Sequence, residues 1–515
     1  MLQPIDRFYD SVARNPDAVA IAGRLGADVT YAELGAHVHA LAAAFQGIDR
    51  APGGRVGICA GNTFEHLLAL LATYAAGKVW VPLNPRNGRA ELDAMIAATR
   101  PAIIVADASC VDRFTPTAAP LIIARSDSET FGGRRESEGH RAKPLTIGEL
   151  VGEWAGQAPA RVGRDAGDAQ IIKFSGGSTG TPKPVVQSLR CVNAQADGLR
   201  DFFEFRRDDV NLIAAPLTHG ASCFVLPILE VGGRHVLLAD AKPKAVLDAI
   251  STHAVTTIYA PPTLLYALIG HAEVPRAALR SLRHVIYSAA PMPPQRIRDC
   301  QRVLGPVIET AYGQVEAPQI ISAMRARELL IEENLTSVGR PSSVATVGIM
   351  GADGAMLPPG GVGEIVVSGP LLMNGYLDQP DETERTIVDG WLHTGDLGMI
   401  DGRGYLFIRG RLREVINSGG FKVFPADVEA ALARHPAVAE CAVFGMGDPK
   451  WGEAVNAAVV VRPAMAVAGD ELIAWVKGEL GSVKAPKRIW FVERLERNAA
   501  GKVSRAAVRA AVSAR

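Results

Sequence analysis

Short apolar strands alternate with helical segments along most of the chain, and this alternation restricts the fold more than any other feature of the sequence. Residues 56–59 read as a buried strand, residues 64–76 carry apolar side chains at helical spacing, and residues 79–81 follow as a second strand. The rhythm returns at residues 102–106, 170–174, 211–215, 256–260 and 284–287. Strands separated by helices pair in parallel and are covered on both faces, which predicts an α/β fold. Such sheets bind ligands at the carboxyl ends of their strands, so the turns that follow strands are where chemistry is expected. From residue 336 to 409 the segments become short and β-like, with turns at Asp353-Gly354, Pro359-Gly360-Gly361 and Asp401-Gly402. That stretch predicts a small antiparallel barrel or sheet. A polar run at residues 409–414 leads to a compact α+β segment, with helices at 427–434 and 471–480 and strands at 441–445 and 455–461.

Composition narrows the function. With 515 residues the chain has room for roughly three to four compact units. Lys plus Arg and Asp plus Glu both total 54, so no net charge favours nucleic acid or an anionic membrane as partner. The six cysteines (Cys59, Cys110, Cys191, Cys223, Cys300 and Cys441) contain no CxxC pair, which fits a reducing compartment and argues against structural zinc. The amino-terminal residues lack a basic region followed by an apolar run, and the apolar stretch 67–77 is too short to span a bilayer. A cytoplasmic enzyme without a membrane span is expected.

The most informative stretch is Phe174-Ser175-Gly176-Gly177-Ser178-Thr179-Gly180-Thr181-Pro182-Lys183, directly after a predicted strand. Its glycines let backbone amides approach an anion, its hydroxyls add donors, and Lys183 adds a positive charge. Thr181 follows Gly180 where a Walker A loop has lysine, so this is a different phosphate loop. Taken alone it suits a surface loop equally well. Further along stand Ser288-Ala289-Ala290-Pro291, Tyr312-Gly313-Gln314-Val315-Glu316, Trp391-Leu392-His393-Thr394-Gly395-Asp396, Gly410-Arg411-Leu412-Arg413-Glu414 and Gly501-Lys502.

In this order and spacing, from Thr30-Tyr31-Ala32-Glu33-Leu34 to Lys502, these segments resemble the adenylate-forming superfamily of acyl-CoA synthetases, peptide-synthetase adenylation domains and beetle luciferases. The resemblance implies an α/β enzyme with a large N-terminal domain of mostly parallel sheets plus a small β-barrel (residues 1–410). It also implies a small mobile α+β C-terminal domain carrying the catalytic lysine (residues 411–515). It implies ATP, Mg2+ and coenzyme A as ligands and a small-molecule carboxylic acid as substrate. Ser175, Gly176, Gly177, Ser178, Thr179, Gly180 and Lys183 would hold the triphosphate. Tyr312 would lie against adenine, beside Ala289, Ala290, Gly313, Gln314 and Val315. Glu316 would contact magnesium, Asp396 would accept both ribose hydroxyls, and Arg411 would reach the ribose or phosphates. Lys502 would meet the attacking carboxylate and the α-phosphate. His219, Tyr259, Ala289, Gly313 and Gln314 would line the acyl pocket, with no cation among them.

The family resemblance also implies that the C-terminal domain rotates about residues 411–415, with Glu414 as pivot, after which Gly419 and Gly420 would border the thiol tunnel. The chain departs from the family pattern at Val315, Gly176, Pro184, Glu414 and Glu496. Thr218-His219 stands where amino-acid-activating relatives carry an Asp, so an apolar acyl or aryl acid is expected. The rival expectations are an enzyme that loads the thiol of a separate carrier protein, and a nucleotide-binding protein without catalysis.

Overall fold

The computed structural model describes residues 2–24, 27–124, 145–175, 182–271, 278–497 and 503–514. Two large sheets form the body of the molecule. The first runs in the order Gly375–Tyr376, Lys183–Ser188, Ala169–Ser175, Val79–Pro82, Arg55–Cys59, Ile103–Ala106, Leu121–Ile123 and Leu145–Thr146. Its pairs are parallel except at the edge formed by the first three of these strands. The second sheet has nine strands. Its parallel centre includes Val210–Ile213, Thr257–Ala260, His284–Tyr287 and Ile308–Tyr312.

The predicted helix after residue 63 forms at Phe64–Ala75 because the Thr63 side chain accepts the His66 amide, satisfying an amino-terminal donor. Most of its side chains are buried, so it is apolar on every side and packs inside the molecule rather than on its surface. One continuous core joins both sheets, with Trp80 and Ile171 from the first and Ile213, Tyr259 and Ile286 from the second. At the helix Tyr31–Ile48, Thr30 and Glu33 form a capping box.

The strand expected at residues 211–215 ends at Ile213. The physical cause is Asn62, a buried side chain whose amide donates to the carbonyls of Ile213, Ala214 and Ala215. Its Oδ1 accepts the Leu217 amide at 2.9 Å. The chain is thereby drawn out of the ladder and across the top of the sheet, towards His219.

The predicted β-rich stretch is an antiparallel sheet of Thr346–Met350, Gly363–Ser368, Trp391–Ile400, Ile387–Val388 and Leu406–Arg411. Beyond it, Val438–Asp448 and Gly452–Val461 pair along their whole lengths. Helices Pro425–Ala433 and Gly469–Leu480 cover that sheet, and Val428, Leu432, Val443, Val455, Val459 and Leu472 form a core of their own. The carboxyl-terminal stretch is a helix, Arg505–Ser513, that buries Val508 and Val512 against this unit. Among the described residues no helix is long and apolar enough to cross a membrane.

Candidate active site

Parallel pairing sets the site. Because Val210–Ile213, Thr257–Ala260, His284–Tyr287 and Ile308–Tyr312 run the same way, their carboxyl ends share one edge. That edge presents the turns 214–220, 288–291 and 313–316, which hold His219, Ala289, Ala290, Gly313, Gln314, Val315 and Glu316.

Asp396 is the polar centre of this edge. It lies in the strand Trp391–Ile400, opposite Arg411 of Leu406–Arg411, and is 5% exposed. Its Oδ2 accepts the Tyr312 hydroxyl at 2.7 Å and Gln314 Nε2 at 2.6 Å. Its Oδ1 faces Arg411 Nε at 2.6 Å. Gln314 Nε2 also donates to the Thr394 carbonyl at 3.0 Å. Burial first, and then the negative charge of Asp396, hold the Tyr312 phenol well above its ordinary pKa, so it stays a neutral donor. Both carboxylate oxygens, expected to await a ribose diol, are thus already engaged, and a diol must share or displace these donors.

Glu316 and Lys183 sit in a second cluster. Tyr376 donates its hydroxyl to Glu316 Oε1 at 3.1 Å. Lys183 forms an ion pair with Glu382, and its Nζ lies 5.1 Å from the centroid of the Tyr376 ring. Ser175 and Lys183 pair across the antiparallel ladder of Ala169–Ser175 and Lys183–Ser188. Gly176, Gly177, Ser178, Thr179 and Gly180 of the glycine loop, and Lys502, lie outside the described residues. The Val315 carbonyl accepts Gln187 Nε2 at 2.8 Å. Among the described residues no group of three His, Cys, Asp or Glu side chains could cage a metal. A lone carboxylate at Glu316 fits Mg2+, which keeps its waters and takes one or two carboxylates plus substrate phosphates.

Tyr259, expected to line the acyl pocket, has aromatic and small neighbours. Tyr259 is buried and stacks on Phe224 with centroids 5.3 Å apart. Burial pushes its phenol upward, while hydrogen bonding with Ser288 and Gln319 opposes that shift. A Cβ at Gly220 would meet the Tyr259 hydroxyl at 2.4 Å, so glycine leaves room for the phenol. Ala289 is exposed and has φ 75°, a left-handed conformation that stores strain at the turn beside Ala290. A Cβ at Gly313 would strike the Gln319 backbone at 2.4 Å. His219 is exposed, and its Nδ1 lies 2.9 Å from Thr218 Oγ1.

Sequence reasoning missed Gln319 and Lys173. Lys173 Nζ donates to the backbone carbonyl of His219 at 3.2 Å and is not among the residues expected to line the pocket. The signal was present, for a lysine in the otherwise apolar run 171–174 stands out. Tyr376 and Glu382 were also missed, because only the fold brings them to Glu316 and Lys183.

Gly419 and Gly420, with φ 60° and 85°, form the two-residue turn of a hairpin between Ile416–Ser418 and Phe421–Val423. Glu414 ends a single 3-10 turn, Leu412–Glu414, and is ion-paired with Arg505. Arg505 also bonds Glu429 at 2.7 Å and 2.8 Å. Burial alone would lower the Arg505 pKa, but Glu429 and Glu414 hold it above its ordinary value.

A parallel-sheet edge faced by a buried carboxylate that Tyr, Gln and Arg contact is the kind of place where α/β enzymes bind their ligands. The model for the AMP-binding enzyme family matches residues 8–377, and that for the AMP-binding enzyme C-terminal domain matches residues 427–502; the chain belongs to this adenylate-forming family. Within it the chain is of the acyl-CoA synthetase type, an AMP-forming acid–thiol ligase. It is 34% identical over 494 residues to a feruloyl-CoA synthase of Amycolatopsis sp, covering 94% of each. It is 40% identical over 346 residues to the medium/long-chain-fatty-acid–CoA ligase FadD8 of Mycobacterium tuberculosis, covering 66% of this chain and 60% of that protein. Among solved structures, the amide bond synthetase McbA from Marinactinospora thermotolerans superposes with a TM-score of 0.86 at 31% identity, over 98% of this chain and 99% of that one.

Proposed function

We propose that this enzyme joins an apolar acyl or aryl carboxylic acid to AMP and then passes the acyl group to coenzyme A in the cytoplasm. The observation that carries the reading is the Asp396 node, where side chains from three separate segments meet on the strand edge that faces the acyl turns. In the first step a carboxylate oxygen attacks the α-phosphorus and the bond to pyrophosphate breaks. Asp396 and Arg411 orient the ribose, Tyr312 and Ala290 flank the base, and Ser175 to Lys183 hold the outer phosphates. Magnesium, held with help from Glu316, supplies charge neutralisation on the triphosphate when bound. Lys502 places a cation between two approaching anions, so that charge growing on the phosphoryl oxygens is met by a fixed donor. In the second step the thiol sulfur attacks the acyl carbon, and AMP leaves with the carboxylate oxygen that joined it.

Residues 1–410 carry the nucleotide and acid, and residues 411–515 turn about Glu414 between the two steps, bringing the Gly419-Gly420 hairpin to the thiol. Tyr259, Gly220 and Phe224 support an aryl or acyl chain packed flat against an aromatic wall, with Ser288 and Gln319 offering polar contact at its end. The six free thiols suit a reducing cytoplasm. A panel of aliphatic and aryl acids with ATP and Mg2+, read by pyrophosphate release, tests the acid class. Presenting coenzyme A and an acyl carrier protein in parallel tests the acceptor. Thioester formation on carrier protein alone, or preference for a charged acid, would contradict the reading.

A further inference from the structure

Lys173 stands out from the rest of the molecule. It lies on the strand Ala169–Ser175, two residues before the glycine loop, and is 8% exposed. Its Nζ donates to the His219 carbonyl at 3.2 Å and to Ser222 Oγ at 3.0 Å. Ser222 Oγ in turn donates to the same carbonyl at 2.9 Å, which closes a three-membered ring of polar contacts. The ammonium lies 5.3 Å from the centroid of the Trp80 ring. No carboxylate among the described residues is within ion-pair distance of it. It borders a small pocket of about 10 Å³ shared with Gln195, Ser222 and Cys223.

A buried cation without an anionic partner is a poor way to stabilise a fold, because its desolvation is not repaid. Its two polar partners instead belong to one short turn, the 3-10 helix Gly220–Phe224 and the residue before it. That turn carries His219, Gly220 against the Tyr259 hydroxyl, and Phe224 stacked on Tyr259. We propose that Lys173 is a positioning residue for acid binding, whose ammonium fastens the turn walling the acyl pocket to the strand that leads into the phosphate loop. The proposal rests on the acid-activating reading and on residues 219–224 forming the pocket wall. Its physical content is that the turn loses its hold, and the acid its fitted wall, once the charge is removed, while the nucleotide side keeps all its contacts.

The test is Lys173→Met, which keeps the length of the side chain and removes the charge. Three readouts are taken together on the full enzyme: KM for acid and for ATP in ATP–pyrophosphate exchange, melting temperature, and amide hydrogen exchange over residues 218–224. The expected result is an acid KM raised about tenfold, the scale of one lost bond from a charged donor, with the ATP KM within about twofold. The melting temperature is expected to hold or rise, and the turn amides to exchange about tenfold faster. Ser222→Ala is expected to move acid KM in the same direction, about threefold, and the double variant to be less than additive. If Lys173→Met proves insoluble, Ser222→Ala carries the test with the same readouts. An unchanged acid KM, an ATP KM rising in step with it, or unaltered exchange in the turn would overturn the proposal. The hydrogen-exchange arm needs no turnover, so its failure is distinct from a failure of the acid-activating chemistry, which wild-type exchange measures by itself.

Discussion

Replacing Asp396 with asparagine preserves the volume of the side chain and takes away one acceptor oxygen and the charge. In the folded enzyme Oδ2 accepts two donors and Oδ1 faces Arg411. The Arg411 side chain is 49% exposed, so its ion pair is screened and contributes no more than about 1 kcal/mol. The Tyr312 hydroxyl is buried, and its bond to a charged acceptor is the larger contribution, roughly 1.5–3 kcal/mol. The carboxamide oxygen can keep Tyr312, so the fold survives with a loss of about 1–2 kcal/mol. What the variant cannot do is accept both hydroxyls of a ribose, since its other atom is a donor. One lost contact of this kind corresponds to a roughly 10- to 100-fold rise in KM for ATP. The assay is ATP–pyrophosphate exchange at saturating acid, repeated with 2′-deoxy-ATP. Wild-type enzyme is expected to lose affinity for the deoxynucleotide, and Asp396→Asn to lose much less, because the partner is already gone. A well-folded variant with unchanged ATP KM, or an equal deoxy penalty in both enzymes, would refute the reasoning.

Three other outcomes are expected. Lys502→Ala should cripple adenylation, by about 3–4 kcal/mol of barrier, and largely spare thioester formation from supplied acyl-AMP; equal loss in both half-reactions, measured separately, would contradict its role. Glu414→Pro should impair thioester formation more than ATP–pyrophosphate exchange, with Glu414→Gln as the control that removes only the Arg505 ion pair. Acid should destabilise the fold through His66 and His235, whose pKa values burial depresses to about 4 from 6.5. Unfolded chains take up protons there first, so stability is full above pH 6.5 and falls as pH drops towards 4, by about 1–2 kcal/mol per histidine at pH 5. Thermal melts from pH 7 to pH 5 read this directly, and a flat profile would contradict it.

The strands and the turns after them could be read from the sequence because each depends on local pattern. Residues 284–287 form the predicted strand, as an apolar run before a small-residue turn implies. The strand after residue 210 was read too long, because the hold of Asn62 on its carbonyls comes from 151 residues away or more. The same limit hid the partners of the charged residues. Lys183 meets Glu382 across 199 positions and Glu316 meets Tyr376 across 60, and no periodicity links such pairs. Asp396 could be named from its motif, yet its crowding by Tyr312, Gln314 and Arg411 needed the sheet edge to be built. Lys173 was visible as an anomaly in an apolar strand, but only the turn packed above it gives that anomaly a use.

The central claim is that a carboxylate oxygen of the substrate becomes bonded to the α-phosphorus of ATP. Running the complete reaction with a carboxylic acid labelled with oxygen-18 in its carboxylate, and weighing the AMP by mass spectrometry, tests this bond directly. One labelled oxygen in each AMP is expected. Unlabelled AMP, or label found in ADP or inorganic phosphate, would contradict the account.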